Sequence, residues 1–259
     1  MDLQLTGKTA VVAASSQGLG RAIAEVLLQE GANVVISGRD ESKLKKVATE
    51  LQAYGEVAYK QTDITKPEDI KGLMSRAVEK FGRIDILINN AGGPPAGSFE
   101  VLSDQDWLDS FELNLLSYIR LIREALPFLK VNGGKIINIA SSSIKEPIPG
   151  LILSNTFRTG MVGLTKTLSQ ELAPYNVMIN TVAPGNIATD RLKHLNQYNA
   201  EKLGVSQEEL EQNAINKIPL KRYGQPEEFA KVVAFLASDA NSYMTGSSFL
   251  VDGGLVKSI

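Results

Sequence analysis

Short runs of apolar and β-branched residues recur along the chain at 9–13, 33–36, 57–60, 84–88, 135–139, 176–182 and 248–251. They are too continuous for half-exposed strands and predict strands buried on both faces. Between them, apolar residues spaced three and four apart predict amphipathic helices over 21–29, 41–51, 67–81, 104–129, 155–172 and 226–236. Parallel strands need long right-handed crossovers, so this alternation predicts a doubly wound, seven-stranded parallel sheet with helices on both faces. The α/β fold is expected to form a single domain over 1–259, with no internal repeat, low-complexity tract or linker. One stretch breaks the rhythm. Segment 186–217 is rich in Gln, Asn, Lys and Glu and follows the sixth strand. It is expected to overhang the carboxyl edge of the sheet as a substrate lid.

Directly after the first strand comes Ala13, Ala14, Ser15, Ser16, Gln17, Gly18, Leu19, Gly20, Arg21, and then a helical pattern opens. Glycines at a strand-to-helix turn let the backbone approach a pyrophosphate. The helix N-terminus adds unpaired N–H groups and a positive dipole end. A plain tight turn is the competing reading of these residues, and their place after the first strand favours a nucleotide site.

Composition narrows the chemistry. With 27 Lys and Arg against 29 Asp and Glu, the net charge is −2, and no basic block offers a surface for nucleic acid. There is no cysteine and a single histidine, His194, which removes thiol nucleophiles, disulfides and His-rich zinc sites. Redox chemistry here would need a cofactor. No apolar run approaches the roughly 20 residues of a membrane span, and a cytoplasmic protein is expected.

Beyond the turn, the fourth strand ends in Asn89, Asn90, Ala91, Gly92, followed by Asn114 on the next helix. Ser141 follows the fifth strand, Pro184 and Gly185 the sixth, and Val251, Asp252, Gly253, Gly254 lie near the C-terminus. In this order the motifs resemble the classical short-chain dehydrogenase/reductase family, in particular 3-oxoacyl-acyl-carrier-protein reductases. The resemblance covers nearly the whole chain and implies a Rossmann-type fold. It also implies a carbonyl or alcohol substrate and a homotetramer, with a dimer as the minimum.

Carried over by position, the resemblance places Gly18, Leu19 and Gly20 under the pyrophosphate and Asp63 and Ile64 beside the adenine. Asn90, Ala91 and Gly92 line the cleft, and Thr189 bonds the nicotinamide amide. Ser15, Gln17, Pro184, Gly185, Ile187 and Arg158 complete the implied cofactor set. The turn departs from the family's TGxxxGxG in holding Ala13 and Ala14. A Cβ at Ala14 is tolerable if φ is negative there. At the end of the second strand, Gly38 and Arg39 replace the acidic residue that holds an unphosphorylated ribose. Arginine suits a 2′-phosphate, which favours NADP(H) over NAD(H), although Gln17 adds no second positive charge.

The family's chemistry rests on Asn, Ser, Tyr and Lys. Asn114 and Ser141 match, but 13 positions after Ser141, where the family's tyrosine is expected, stands Ser154, and the lysine position holds Arg158. No tyrosine occurs between Tyr118 and Tyr175. Ser154 is a weak acid, and Arg158 keeps its proton while its planar fork can grip ribose hydroxyls. Lys145, His194 or a water held between Ser141 and Ser154 are alternative proton sources. Ile148, Pro149, Leu151, Leu153 and Phe157 are expected to form an apolar rim for a lipophilic carbonyl compound, or equally to pack against another subunit. The leading expectation is an oxidoreductase with an altered acid/base site. The alternative is an inactive dinucleotide-binding protein with a regulatory or partner-binding role.

Overall fold

The computed structural model describes residues 1–258, apart from the side chains of His194, Tyr198, Asn199 and Lys202. Its seven strands are β1 (Thr9–Val12), β2 (Asn33–Gly38), β3 (Val57–Gln61), β4 (Ile86–Asn89), β5 (Gly134–Ile139), β6 (Val177–Pro184) and β7 (Ser248–Val251). They form one sheet in the order β3-β2-β1-β4-β5-β6-β7, with every pairing parallel. The single doubly wound α/β domain expected from the alternation is the one observed.

Alternation along each strand feeds two cores. Ala10, Val12, Val34 and Ile36 face one side, where they pack with α1 (Gly18–Gln29), α2 (Glu41–Leu51) and α9 (Pro226–Leu236). Val11, Val35 and Leu87 face the other, against α3 (Pro67–Phe81), α5 (Ser117–Asn132) and the end of α6 (Ile152–Leu172). Both faces are therefore dry, which accounts for the unbroken apolar strands.

Three elements differ from the sequence expectations. The long helix at 104–129 is split into α4 (Asp104–Phe111) and α5 by a π-turn over Glu112–Leu116. Helix α6 starts at Ile152, three residues before the expected 155. Segment 186–217 is mostly helical, forming α7 (Asp190–Leu203) and α8 (Gln207–Lys217). Thr189 and Ser206 cap these two helices, their hydroxyls accepting from Leu192 N (3.3 Å) and Glu209 N (3.1 Å). Such caps fix a start where the weak apolar stripe does not. Among the described residues, no helix is long and apolar enough to cross a membrane.

Candidate active site

The chain reverses its direction of travel across the sheet between β1 and β4, and loops leaving their carboxyl ends diverge there. Doubly wound sheets bind ligands in this crevice. It opens as an outer cavity of about 530 Å³ and an inner one of about 220 Å³, which share Leu19, Asn90, Ala91, Thr189 and Arg191.

The outer cavity is built on the glycine turn. Gly18 adopts φ +56°, and a Cβ on Gly20 would stand 2.6 Å from Ala14 O and 2.8 Å from Asn90 Nδ2. Only glycine fits at position 20. Asn90 holds the turn by donating to Ala14 O at 3.0 Å. Ala14 itself has φ +47°, so the negative φ that would make its Cβ harmless is not adopted. The turn imposes left-handed backbone on a residue that pays for its side chain there. Ser15 is drawn away from the cavity, its hydroxyl donating to Val12 O (2.7 Å) and accepting from Ser37 N (2.9 Å). It ties β1 to β2.

The N-terminus of α1 has no side-chain cap and no acidic residue in its first turn, so its N–H groups face the cavity with an uncompensated dipole. Farther out lie Gly38, Arg39, Asp63 and Ile64. Burial raises the Asp63 pKa, but hydrogen bonds from Thr65 N (3.0 Å) and Oγ1 (2.8 Å), with the nearby Arg39 and Lys66 charges, leave it net lowered. Lys43 Nζ donates to Gln17 Oε1. The second positive charge that Gln17 lacks is thus brought to the turn by α2. Open glycine backbone, an uncapped helix N-terminus and two cations fit a phosphorylated dinucleotide.

The inner cavity is lined by Ser141, Ser154, Arg158, Pro184, Gly185 and Ile187, with Ile148 and Leu151 supplying apolar surface. Ser141 accepts from Ser143 N at 3.2 Å, which fixes the residue at the end of β5. Arg158 reaches under the cavity, where Nη1 donates to Ile139 O and, at 3.1 Å, to the phenol oxygen of Tyr118. Tyr118 in turn donates to Ile139 O at 3.0 Å. Burial pushes the Tyr118 pKa up, although the adjacent guanidinium opposes it. Asn114 lies in the π-turn and donates to Gly92 O at 2.7 Å, while its buried Oδ1 has no partner among the described residues.

Arg191, in the first turn of α7, crosses to the loop after β4. A Cβ on Gly93 would stand 2.9 Å from its Cζ, and Nη2 donates to Pro94 O at 3.4 Å. Desolvation lowers the Arg191 pKa, and repulsion from Arg158 lowers it further.

Some expected site residues are placed elsewhere. Lys145 is exposed and does not line the inner cavity, and the His194 side chain lies outside the described residues. Leu153 is fully buried in the protein rather than on a rim. Phe157 packs edge-on against Trp107, ring centroids 5.8 Å apart. Pro149 is exposed away from the cavity lining. Lys43, Tyr118 and Arg191 were missed. For Lys43 and Arg191 a sequence signal existed: each is a cation in the first turn of a helix, where the dipole disfavours positive charge.

The family profile described as Enoyl-(Acyl carrier protein) reductase matches residues 13–256. The chain belongs to the short-chain dehydrogenase/reductase family. Within this family it is 34% identical over 256 residues to the 3-oxoacyl-[acyl-carrier-protein] reductase of Thermotoga maritima, covering 98% of this chain and all of that one. It is 33% identical over 264 residues to an uncharacterized oxidoreductase of Bacillus subtilis, with both chains fully covered. Among solved structures, L-sorbose reductase from Gluconobacter frateurii complexed with NADPH and L-sorbose superimposes with a TM-score of 0.95 at 31% identity, over the full length of both chains.

Proposed function

We propose that the protein is an NADP(H)-dependent oxidoreductase that interconverts a carbonyl compound and its alcohol. The observation that carries this reading is a continuous cleft. It leads from a glycine turn flanked by Arg39 and Lys43 into a cavity lined by Ser141, Ser154 and Arg158. The NADPH bound in the superimposing sorbose reductase supports the cofactor assignment.

In this reading Gly18, Leu19 and Gly20 hold the pyrophosphate at the uncapped α1 N-terminus. Arg39 and Lys43 take the 2′-phosphate, and Asp63 and Ile64 flank the adenine. Thr189 faces the nicotinamide end, although its hydroxyl also caps α7. Bound NADPH would supply a hydride to the carbonyl carbon, and the carbonyl oxygen would take one proton to complete the alcohol. In this reading Ser154 and Arg158 occupy the positions at which the family resemblance expects tyrosine and lysine. The two serine hydroxyls hydrogen-bond the substrate oxygen and pass it a proton from water, while Arg158 keeps positive charge beside the oxygen as negative charge develops there. Asn114 offers its unpartnered Oδ1 to a relay water. The helices α7 and α8 act as the substrate lid, and Leu108 and Phe111, exposed on α4, support assembly into an oligomer.

The test begins with a fluorescence titration of the protein with NADPH and NADH. Micromolar binding of NADPH with NADH at least tenfold weaker is expected, followed by oxidation of NADPH in a screen of carbonyl compounds. Binding of neither cofactor would overturn the reading. NADPH binding without turnover that Ser141→Ala or Ser154→Ala can diminish would remove the catalytic assignment.

A further inference from the structure

The charge balance of the inner cavity is one-sided. Arg158 and Arg191 both line it, and no Asp or Glu does. Neither arginine forms an ion pair among the described residues. Arg158 is only 5% exposed. A buried cation without a counter-charge is costly, and neutral acceptors such as Ile139 O and Tyr118 Oη offset only part of that cost. Both bonds leave from Nη1, so among the described residues the Nε and Nη2 edge of the fork has no hydrogen-bond partner. Because Arg158 lines the inner cavity, this edge is the part of its fork available to a ligand there. Repulsion between the two guanidiniums indicates that they share one electrostatic environment.

We infer that the inner cavity is a carboxylate site, and that the substrate is a 2-oxo acid or the corresponding 2-hydroxy acid, its carboxylate bound by Arg191 and Arg158. A planar carboxylate matches a guanidinium edge by shape as well as charge. With the acid group adjacent to the carbonyl, Ser141 and Ser154 remain free for the reacting oxygen. Ile148, Leu151 and Leu195 give the aliphatic tail an apolar surface. This inference deepens the oxidoreductase reading and rests on it for the reaction. The binding site itself stands on charge and geometry.

The experiment compares hexanoate with hexanamide, which have the same size and differ in charge. Each is titrated into the full-length protein saturated with NADPH, read by fluorescence of the bound cofactor, and into protein without cofactor, read by thermal shift. Hexanoate is expected to bind at least tenfold more tightly than hexanamide. That ratio should fall to within twofold in Arg191→Gln and in Arg158→Gln. In parallel, kcat/KM for 2-oxohexanoate should exceed that for its methyl ester by a similar factor. Equal binding of acid and amide overturns the inference. So does a ratio that survives in Arg191→Gln while NADPH binding weakens, because Arg191 would then serve the cofactor. Should Arg158→Gln fail to fold, Arg191→Gln decides, since among the described residues its side chain makes a single hydrogen bond, to Pro94 O. If NADPH does not bind yet hexanoate still shifts the melting temperature selectively, the oxidoreductase reading falls and the carboxylate site stands.

Discussion

The guanidinium of Arg158 and the phenol of Tyr118 share one carbonyl acceptor, Ile139 O, and are bonded to each other at 3.1 Å beneath the inner cavity. A tyrosine is therefore present behind the site, but it is fully buried and bonded on both sides. Its hydroxyl is bonded to Arg158, and it is not among the residues that line the inner cavity. Tyr118→Phe removes the hydroxyl and leaves Arg158 with one acceptor. A loss of about 1.5–3 kcal/mol in denaturant unfolding is expected, the value of a hydrogen bond to a charged group. NADPH binding should be unchanged in this variant, and kcat should fall more than KM rises. Unaltered kcat would remove the positioning role.

Removing one of the two outer cations should separate the cofactors. Arg39→Ala and Lys43→Ala are each expected to weaken NADPH binding about tenfold, or about 1.4 kcal/mol, with NADH binding little changed. Equal losses for both cofactors would place these side chains away from the 2′-phosphate.

Ala14 holds φ +47°, where a Cβ costs about 1–2 kcal/mol. Ala14→Gly releases that strain and adds about 0.4–1 kcal/mol of unfolded-state entropy. A net gain of about 0.5 kcal/mol is expected from urea unfolding. A destabilisation of that size or larger would show that the side chain's packing outweighs the strain.

Behind the site runs a buried polar chain. Asn89 Nδ2 donates to Asn138 Oδ1 at 2.8 Å, and Asn138 Nδ2 donates to Thr165 Oγ1 at 2.9 Å, which pairs with Thr181 Oγ1 at 2.9 Å. It links β4, β5, α6 and β6. Asn138→Ala strands Asn89 Nδ2 and costs about 1–3 kcal/mol. The same substitution at Asn89 should be less than additive with it in a double-mutant cycle.

Arg222 grips Glu228 through two hydrogen bonds of 2.7 Å, and Gln225 N adds a third at 2.8 Å, which together depress the Glu228 pKa to about 2. Because the folded value lies below the unfolded one, this stabilisation is present above about pH 4.5 and is lost as the pH falls toward 2. The melting temperature of Glu228→Gln should lie below that of the unmodified protein at pH 7, and the gap should close between pH 5 and 2. The pair is exposed, so added salt should also narrow it. A gap independent of pH would assign the effect to packing.

The sheet and most helices were legible because their signals are local. Strands such as Val11 and Val12 bury alternate side chains in two cores, and a continuous apolar run is the only pattern that satisfies both faces. The glycine turn was equally legible, since Gly20 has no room for a Cβ between Ala14 and Asn90. Caps alone define α7 and α8, and an apolar-period reading passes over them.

What the sequence by itself determined is the doubly wound parallel sheet, the placement of the glycine turn at its switch point, and the family motifs strung along it. Only the tertiary structure decided that Ala14 turns left-handed, that Ser15 serves the sheet instead of the cleft, and that Lys43 reaches Gln17. It also decided that Arg158 and Arg191, 33 residues apart in the chain, face one cavity without a carboxylate. The division has a physical cause: periodicity and turn chemistry act between neighbours along the chain. Charge balance in a cavity depends on which distant segments the packed sheet and helices bring together.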